Sequence, residues 1–374
     1  MKPEVQKLQQ IEQQLNAHFI ERQHEIHAIL LGICAQKNVL LIGAPGVAKS
    51  NIVDQFMHVL PTTYGTFKRL ISPTTQPEEL FGSVRFDRLK EGVMERNIEG
   101  QLPTAHVAFL DEVFKATSDL LNSLLKIMNE HRFENGTEEL TTPLFTLIGA
   151  SNEFPEEDRL NALYDRFLIR REVEAIQTPA HFMQMLQGNT EEITLPRLTA
   201  EEIQAIHAET KAVHIPQTII EMLTEIHFKL KDAGIVVSDR RTKQCLSILQ
   251  AEAYLQGRDE VKQSDFRVLV DCLWIESEDR ETVQDLLAPY TKTVIDQLFV
   301  QLNRLRMEVD AKHAGLKQAE MIQYEEYAQF ASAILMKWQQ IEQEMMIESP
   351  TEEELQKLNE WKAQLHEKIA EEVM

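Results

Sequence analysis

Apolar positions recur at three- and four-residue steps through Leu8, Ile11, Leu15 and Phe19, and again through Ile26, Ile29, Leu30 and Ile33. This spacing predicts two helices within residues 1 to about 36, joined across Phe19–Gln23. The next run, Val39-Leu40-Leu41-Ile42, has no polar alternation and reads as a strand buried on both faces. Ile52, Val53, Phe56 and Val59 then predict a helix over 49–59. Phe67–Ile71 reads as a strand, and Thr75–Gly82 as a short capped helix with Pro77 in its first turn. Val84–Asp87 and Val93–Arg96 flank Lys90-Glu91-Gly92, a hairpin pattern. His106–Leu110 is a second buried strand, followed from about Ala116 by a helix with Leu120, Leu121, Leu124, Leu125 and Met128 on one face. Glu134-Asn135-Gly136-Thr137 predicts the tight turn of a second hairpin. Phe145–Ala150 is a third buried strand, then a helix spans about 159–167 and a short strand Leu168–Arg171. Strands alternating with helices predict an α/β fold, a parallel sheet with helices on both faces.

The strand pattern ends near residue 180. Residues 200–275 read as capped helices: Thr199-Ala200-Glu201-Glu202 is a capping box, and Ser238-Asp239 precedes a helix at 240–254. Further on, three stripes each mark an amphipathic helix: Leu298/Leu302/Leu305/Val309, Ile334/Trp338/Ile341/Met345 and Leu358/Trp361/Leu365/Ile369. With a bend at Gly315 and a break at Ser349-Pro350, they predict an antiparallel bundle or coiled coil. The expected division is therefore 1–190 as an α/β domain, 191–279 as a smaller all-helical domain with its border near Gly188-Asn189-Thr190, and 280–374 as a C-terminal helical bundle.

Charge narrows the function. Sixty acidic against 38 basic residues give a formal net charge of −22, which disfavours broad binding to a phosphate backbone, so no nucleic acid is expected. The 43% hydrophobic content suits a soluble globular chain; no run is long enough to span a bilayer, and the polar N-terminus lacks a signal-peptide core. Cys34, Cys245 and Cys272 lie in apolar helical surroundings without a C-x-x-C. They read as buried small hydrophobes in a reducing cytoplasm.

Chemistry concentrates around Gly43-Ala44-Pro45-Gly46-Val47-Ala48-Lys49-Ser50, between the first buried strand and a helix. Strand, glycine-containing loop, lysine, hydroxyl and helix are the context of a phosphate-binding loop, with the N–H groups of Gly43 to Asn51, all but Pro45, available to an anion. Ala48 departs from the usual pattern, which has glycine before the lysine. Lys49 would meet the β/γ-phosphates of ATP and Ser50 a Mg2+ ion. Asp111, at a strand end, would also hold Mg2+, and Glu112 would be the general base aligning a water. Asn152, at another strand end, would bond the γ-phosphate or the water; a turn residue is its plainer reading. Arg166 would be a charge finger reaching a neighbouring subunit's nucleotide, against a simple ion pair with Asp165. Arg170 and Arg171 are alternative fingers. Arg240 or Arg241, opening a lid helix, would reach the γ-phosphate from the lid side, against a solvated helix start.

Together these residues make the chain resemble the AAA+ ATPases, and specifically the MoxR family. Residues 43–50 look like its Walker A, where alanine before the lysine is usual, Phe109-Leu110-Asp111-Glu112 like its Walker B, and Ala150-Ser151-Asn152-Glu153 like its sensor 1. Leu163-Tyr164-Asp165-Arg166-Phe167 resembles its arginine-finger segment. The segments at 84–96 and 133–144 resemble its helix-2 and pre-sensor-1 insertions. Val237–Arg241 and Asp271–Trp274 are most similar to a RavA-like branch, whose β-rich C-terminal insertion has no room here. The resemblance, over about residues 15–280, implies an ATP hydrolase assembling as a homohexamer and remodelling a protein client. For this family the implied clients include von Willebrand A domain proteins. Two other readings stand beside it: a nucleotide-gated scaffold with little turnover, which the intact Glu112 opposes, and a DNA motor or loader, which the acidic charge opposes.

Overall fold

The computed structural model describes residues 2–155, 157–187, 193–291, 294–316, 324–347 and 352–371. They fall into two units, Met1–Leu287 and Ala288–Met374. The first opens with α1 (Pro3–His18) and α2 (Gln23–Ala35). Val5, Leu8, Ile11 and Leu15 line the buried face of α1, whereas α2 is buried nearly all round, as a helix beneath other elements must be. The chain turns between them at Glu21, which takes a left-handed φ of 55°.

The α/β layer follows as β1 (Val39–Ile42), α3 (Lys49–Val59), β2 (Thr66–Leu70), α4 (Pro77–Phe81), α5 (Phe86–Lys90), β3 (Val107–Asp111), α6 (Ser118–Glu130), β4 (Arg132–Asn135), β5 (Glu138–Thr141), β6 (Thr146–Ser151), α7 (Asp158–Tyr164) and β7 (Ile169–Glu172). Five strands pair in parallel in the order β2-β3-β6-β1-β7. β1 and β6 are buried at every position, and β3 up to its last residue, which fits the mostly apolar runs that form them. At the edge, β2 buries only Phe67. β1, β3 and β6 are neighbours and parallel, so their C-terminal ends open on one sheet edge. The loops after them are thereby brought together, the usual ligand position in open α/β sheets.

The expected hairpin at 133–144 is present as β4–β5, antiparallel, with Gly136 at φ 70° in its turn. The one expected at 84–96 is not a strand pair. Its ends meet in a single antiparallel bridge, Val84 to Arg96, and residues 86–90 form α5. The reason is local: Phe86 is 80% exposed, so no apolar face rewards an extended form. Ion pairs of Arg88 with Glu91 and Glu95 instead tie the helical turn to the returning chain. The two insertions are stitched together by Asn135, whose side chain bonds both the N–H and the carbonyl of Arg96 at 2.7 and 3.1 Å.

After β7 the described residues hold no further strand; α8 (Pro179–Gln187), α9 (Ala200–Ala212), α10 (Gln217–Asp232), α11 (Asp239–Leu255), a 3-10 helix (Gln263–Leu269), α12 (Val270–Leu273) and α13 (Asp279–Thr291) come next. The Thr199/Glu202 capping box opens α9, and the Ser238 hydroxyl accepts the Arg241 N–H at 3.2 Å at the start of α11. The border expected near Gly188-Asn189-Thr190 lies outside the described residues. α11 packs on α2 and α9, within the first unit. All three cysteines are buried and unpaired.

The second unit holds α14 (Val294–Leu316), α15 (Tyr324–Ile347) and α16 (Glu352–Glu371). All three apolar stripes enter one core with Trp338 at 1% exposure and Trp361 packed at its side. Arg306 bonds Gln364 and Asp310 bonds Lys368, so α14 and α16 run in the same direction. Gly315 does not bend the chain, since α14 continues to Leu316. The links that follow, including Ser349-Pro350, lie outside the described residues.

Candidate active site

The loop after β1 is held by its neighbours. Gly43 donates to the Ser151 carbonyl of β6 at 3.0 Å, and Val173 beyond β7 donates to the Ile42 carbonyl at 2.7 Å. A Cβ on Gly43 would lie 2.2 Å from the Val173 carbonyl oxygen, so glycine is required by the approach of this backbone. Ala48, ahead of α3, takes φ 69°, the left-handed region where glycine is favoured. The alanine thus adopts the conformation that the usual glycine would take, at a local cost of the kind kept at functional positions. From below, the buried Arg22 donates from Nε to the Val47 carbonyl at 3.1 Å. Nothing in the sequence pattern singled out Arg22; a cation placed in the break between two apolar helices was the available clue.

Lys49, the first residue of α3, is buried, and its Nζ donates to the Gly43 carbonyl at 2.5 Å, the Ala44 carbonyl at 3.0 Å and Asn152 Oδ1 at 3.1 Å. Burial pushes its pKa below the usual lysine value, and the charges of Asp111 and Glu112 oppose that shift. Ser50 Oγ donates to Asp111 Oδ2 at 3.1 Å. Asp111 also accepts the Glu112 N–H at 3.1 Å. Glu112 sits at φ 53°, a left-handed turn that follows directly on β3. Its carboxylate accepts a hydrogen bond from the Asn152 amide. Asn152 therefore links Lys49 to Glu112. Pro45 to Asn51, Asp111, Glu112 and Asn152 line one cavity of about 320 Å³. Gly46, Val47 and Ala48 also line a second cavity of about 610 Å³, walled by His18, Phe19, Ile176, Phe182 and Met185.

A hydroxyl and one carboxylate side by side fit Mg2+, which is held through few protein ligands while phosphates and water supply the rest. No cluster of three His, Cys, Asp or Glu suited to a metal occurs among the described residues.

The arginines separate into two kinds. Arg170 is 1% exposed and donates to the carbonyls of Phe167, Trp274 and Tyr164 at 2.9–3.2 Å, its guanidinium 3.7 Å from the centre of the Tyr164 ring. Arg241 is as buried and donates to the carbonyls of Cys272, Phe167 and Leu168. Arg171 pairs with Glu25 and Asp271. These three are occupied inside the fold, and neither Arg241 nor Arg240 stands among the residues lining the phosphate cavity. Arg166 and Arg240 meet instead at a separate cavity of about 240 Å³, lined also by Lys37, Asn38, Asn129 and Asp165. Both bond Asp165, so the ion pair weighed for Arg166 is present at 3.1 Å, and Arg240 is 2.6 Å from the same carboxylate rather than solvated.

A parallel five-stranded sheet with a lysine-bearing loop after an interior strand and a carboxylate pair on the strand beyond its neighbour is the α/β fold of the AAA+ class. The family follows from its relatives. Residues 6–212 match the model of the MoxR domain in the MoxR-vWA-beta-propeller ternary systems, and residues 218–287 match an AAA lid domain. Two uncharacterized proteins of Methanocaldococcus jannaschii are 34% identical over 83% of this chain and 82% of theirs, and 37% identical over 73% of this chain and 72% of theirs. The chaperone MoxR1 of Mycobacterium tuberculosis is 28% identical over 39% of this chain and 38% of its own. A crystal structure from Cytophaga hutchinsonii, titled as a candidate ATPase, has the same fold with a TM-score of 0.63 at 17% identity, over 76% of this chain and 94% of that one. The chain belongs to the MoxR family of AAA+ ATPases.

Proposed function

We propose that this protein hydrolyses ATP with Mg2+ in a homohexameric ring and uses the turnover, in a chaperone-like way, to remodel a protein client. The observation that carries the reading is the convergence of Lys49, Ser50, Asp111, Glu112 and Asn152 on one cavity beneath a helix N-terminus. The loop from Gly43 to Asn51 would cradle the phosphates, with Lys49 compensating their charge. Ser50 and Asp111 would hold Mg2+, which supplies charge neutralisation of the phosphates. Glu112 would take the proton of the attacking water, and Asn152 would orient that water. The adjoining 610 Å³ cavity has the room and the apolar walls for the base and ribose.

Arg166 would complete the site of a neighbouring copy. Arg240 lies beside it and away from its own chain's phosphate cavity, which favours a role towards the neighbour for it as well, rather than the intrachain contact expected from the sequence. Residues 1–190, 191–279 and 280–374 would act as core, lid and recruiting bundle. The description of the matching family supports a von Willebrand A domain protein as client; the segments at 237–241 and 271–274 keep a RavA-like placement as our proposal. No helix among the described residues is long and apolar enough to cross a membrane, and three buried unpaired cysteines suit a cytoplasmic setting.

The test is phosphate release from ATP over a protein dilution series, with and without Mg2+. Specific activity that requires Mg2+ and rises with protein concentration is expected. ATP binding without phosphate release at any concentration would replace this reading with the scaffold.

A further inference from the structure

The Asp165 carboxylate, at the C-terminal end of α7, is the meeting point of three guanidiniums. Arg166 Nη1 lies at 3.1 Å, Arg240 Nη2 at 2.6 Å and Arg241 Nη1 at 3.8 Å. Arg166 follows it in the chain, and the other two come from the first turn of α11. Around the carboxylate is a cavity of about 240 Å³ onto which Lys37, Arg166 and Arg240 open, with Asp165 as its one acidic lining residue. Three cations against one anion leave a local surplus of positive charge in a chain of net charge −22. In addition, Arg166 Nε is buried and has no hydrogen-bond acceptor. A buried donor without a partner is costly, so this cluster has donors and charge left over for an anion that the free chain does not supply.

Convergent guanidiniums are how proteins bind phosphoryl oxyanions. A carboxylate has the same planar pair of acceptor oxygens but less charge than a terminal phosphate. We propose that Asp165 is an internal stand-in for a phosphoryl group: it holds Arg166 and Arg240 together in the free chain and yields them to the terminal phosphate of the nucleotide bound by a second copy. This rests on the reading of Arg166 as a finger acting between copies. No covalent step is involved; the exchange is of hydrogen bonds from one anion to a more highly charged one. Asp165 also neutralises the repulsion between Arg166 on the core and Arg240 on the lid helix, so the same exchange frees a contact between these two parts of the chain. The carboxylate thereby sets how much nucleotide is needed before copies join.

The test measures assembly of the full chain by mass photometry against the β,γ-imido analogue of ATP. Asp165→Asn keeps the shape and an acceptor oxygen but removes the charge. The analogue concentration at half-assembly is expected to fall about fivefold or more, while Asp165→Glu stays within about twofold of the parent. An unchanged or raised value for Asp165→Asn overturns the proposal. If that variant is too unstable to assay, Arg240→Gln is compared with Arg240→Gln/Asp165→Asn, a background without the paired guanidiniums; a lower threshold in the double variant is expected, and equal thresholds overturn the proposal. Arg166→Ala separates this idea from the reading beneath it. If Arg166→Ala assembles and turns over like the parent, the finger reading itself is wrong. If it abolishes both while Asp165→Asn shifts nothing, Asp165 alone has been misread.

Discussion

Replacing Glu112 by Gln separates chemistry from binding at this site. Glu112→Gln conserves volume, and the new side chain still offers an oxygen to the Asn152 amide that now bonds the carboxylate. The fold should therefore hold within about 1 kcal/mol. What is lost is the ability to accept a proton, and general-base assistance contributes roughly 10²–10⁴ in rate, or about 3–5 kcal/mol at 1.36 kcal/mol per factor of ten. What is gained is the removal of one negative charge from the neighbourhood of an incoming polyanion. Glu112 and Asp111 both act on the charge of Lys49, so they face the same volume as the phosphates. At roughly 6 Å and an effective dielectric constant near 40, one unit charge is worth about 1.4 kcal/mol before screening, so ATP affinity should be equal to the parent's or up to about tenfold tighter. Single-turnover phosphate release and equilibrium binding of a fluorescent ATP analogue measure the two effects separately. Turnover within about threefold of the parent, or binding weakened together with turnover, would refute the assignment of Glu112 as the base.

The remaining expectations concern the frame around the site. Gly43→Ala drives a Cβ into the Val173 carbonyl and should cost about 2–4 kcal/mol through forced separation of β1 from β7; urea denaturation reads it. Arg241→Met strands the carbonyls of Phe167, Leu168 and Cys272 and should cost about 3–5 kcal/mol, whereas Arg240→Met, one residue earlier on a half-exposed ion pair, should cost under about 1 kcal/mol; equal losses in the two would refute the division between them. His27 has both ring nitrogens on carboxylates, Glu12 and Glu252, each at 2.7 Å. Burial opposes its charge, but the two carboxylates outweigh it and raise its pKa to about 10. A folded value raised above the unfolded one gives stability that is whole below about pH 6.5 and lost as pH rises through about 10. Melting temperature should fall across that window, and His27→Gln should flatten the fall.

The strands and the chemical residues were legible because both rest on local rules. Apolar runs followed by Gly43, Asp111 or Ser151 place the strand ends, and parallel pairing then brings Lys49, Glu112 and Asn152 to one cavity. The segment at 84–96 was misread because alternation suggests a strand only when one face is buried, and Phe86 has nothing to bury against. Arginine roles were the least legible. Arg166, Arg170, Arg171, Arg240 and Arg241 look alike in sequence, and what separates them is burial and the number of carbonyls within reach, which only the packed structure determines.

Those buried arginines also bear on how nucleotide turnover would move the chain. A changing angle between core and lid is one way turnover could do so. Yet Arg241 on α11 donates to the carbonyls of Phe167 and Leu168, Arg170 on β7 donates to that of Trp274, and His27 on α2 holds Glu252 on α11. Four bonds to charged groups at about 1.5–3 kcal/mol each come to about 6–12 kcal/mol, comparable to the whole stability of a folded domain. Prising the segment from α11 to Trp274 off the core would have to break them with no replacement partner in view. The Arg240–Asp165 pair is different: it is half-exposed, and phosphate offers its arginine a better partner. A motion that exchanges this one contact while leaving the buried ones intact moves core and lid of one copy together against the next copy. The strain of turnover would then fall at the boundary between copies, where Arg166 and Arg240 would reach the neighbour's nucleotide.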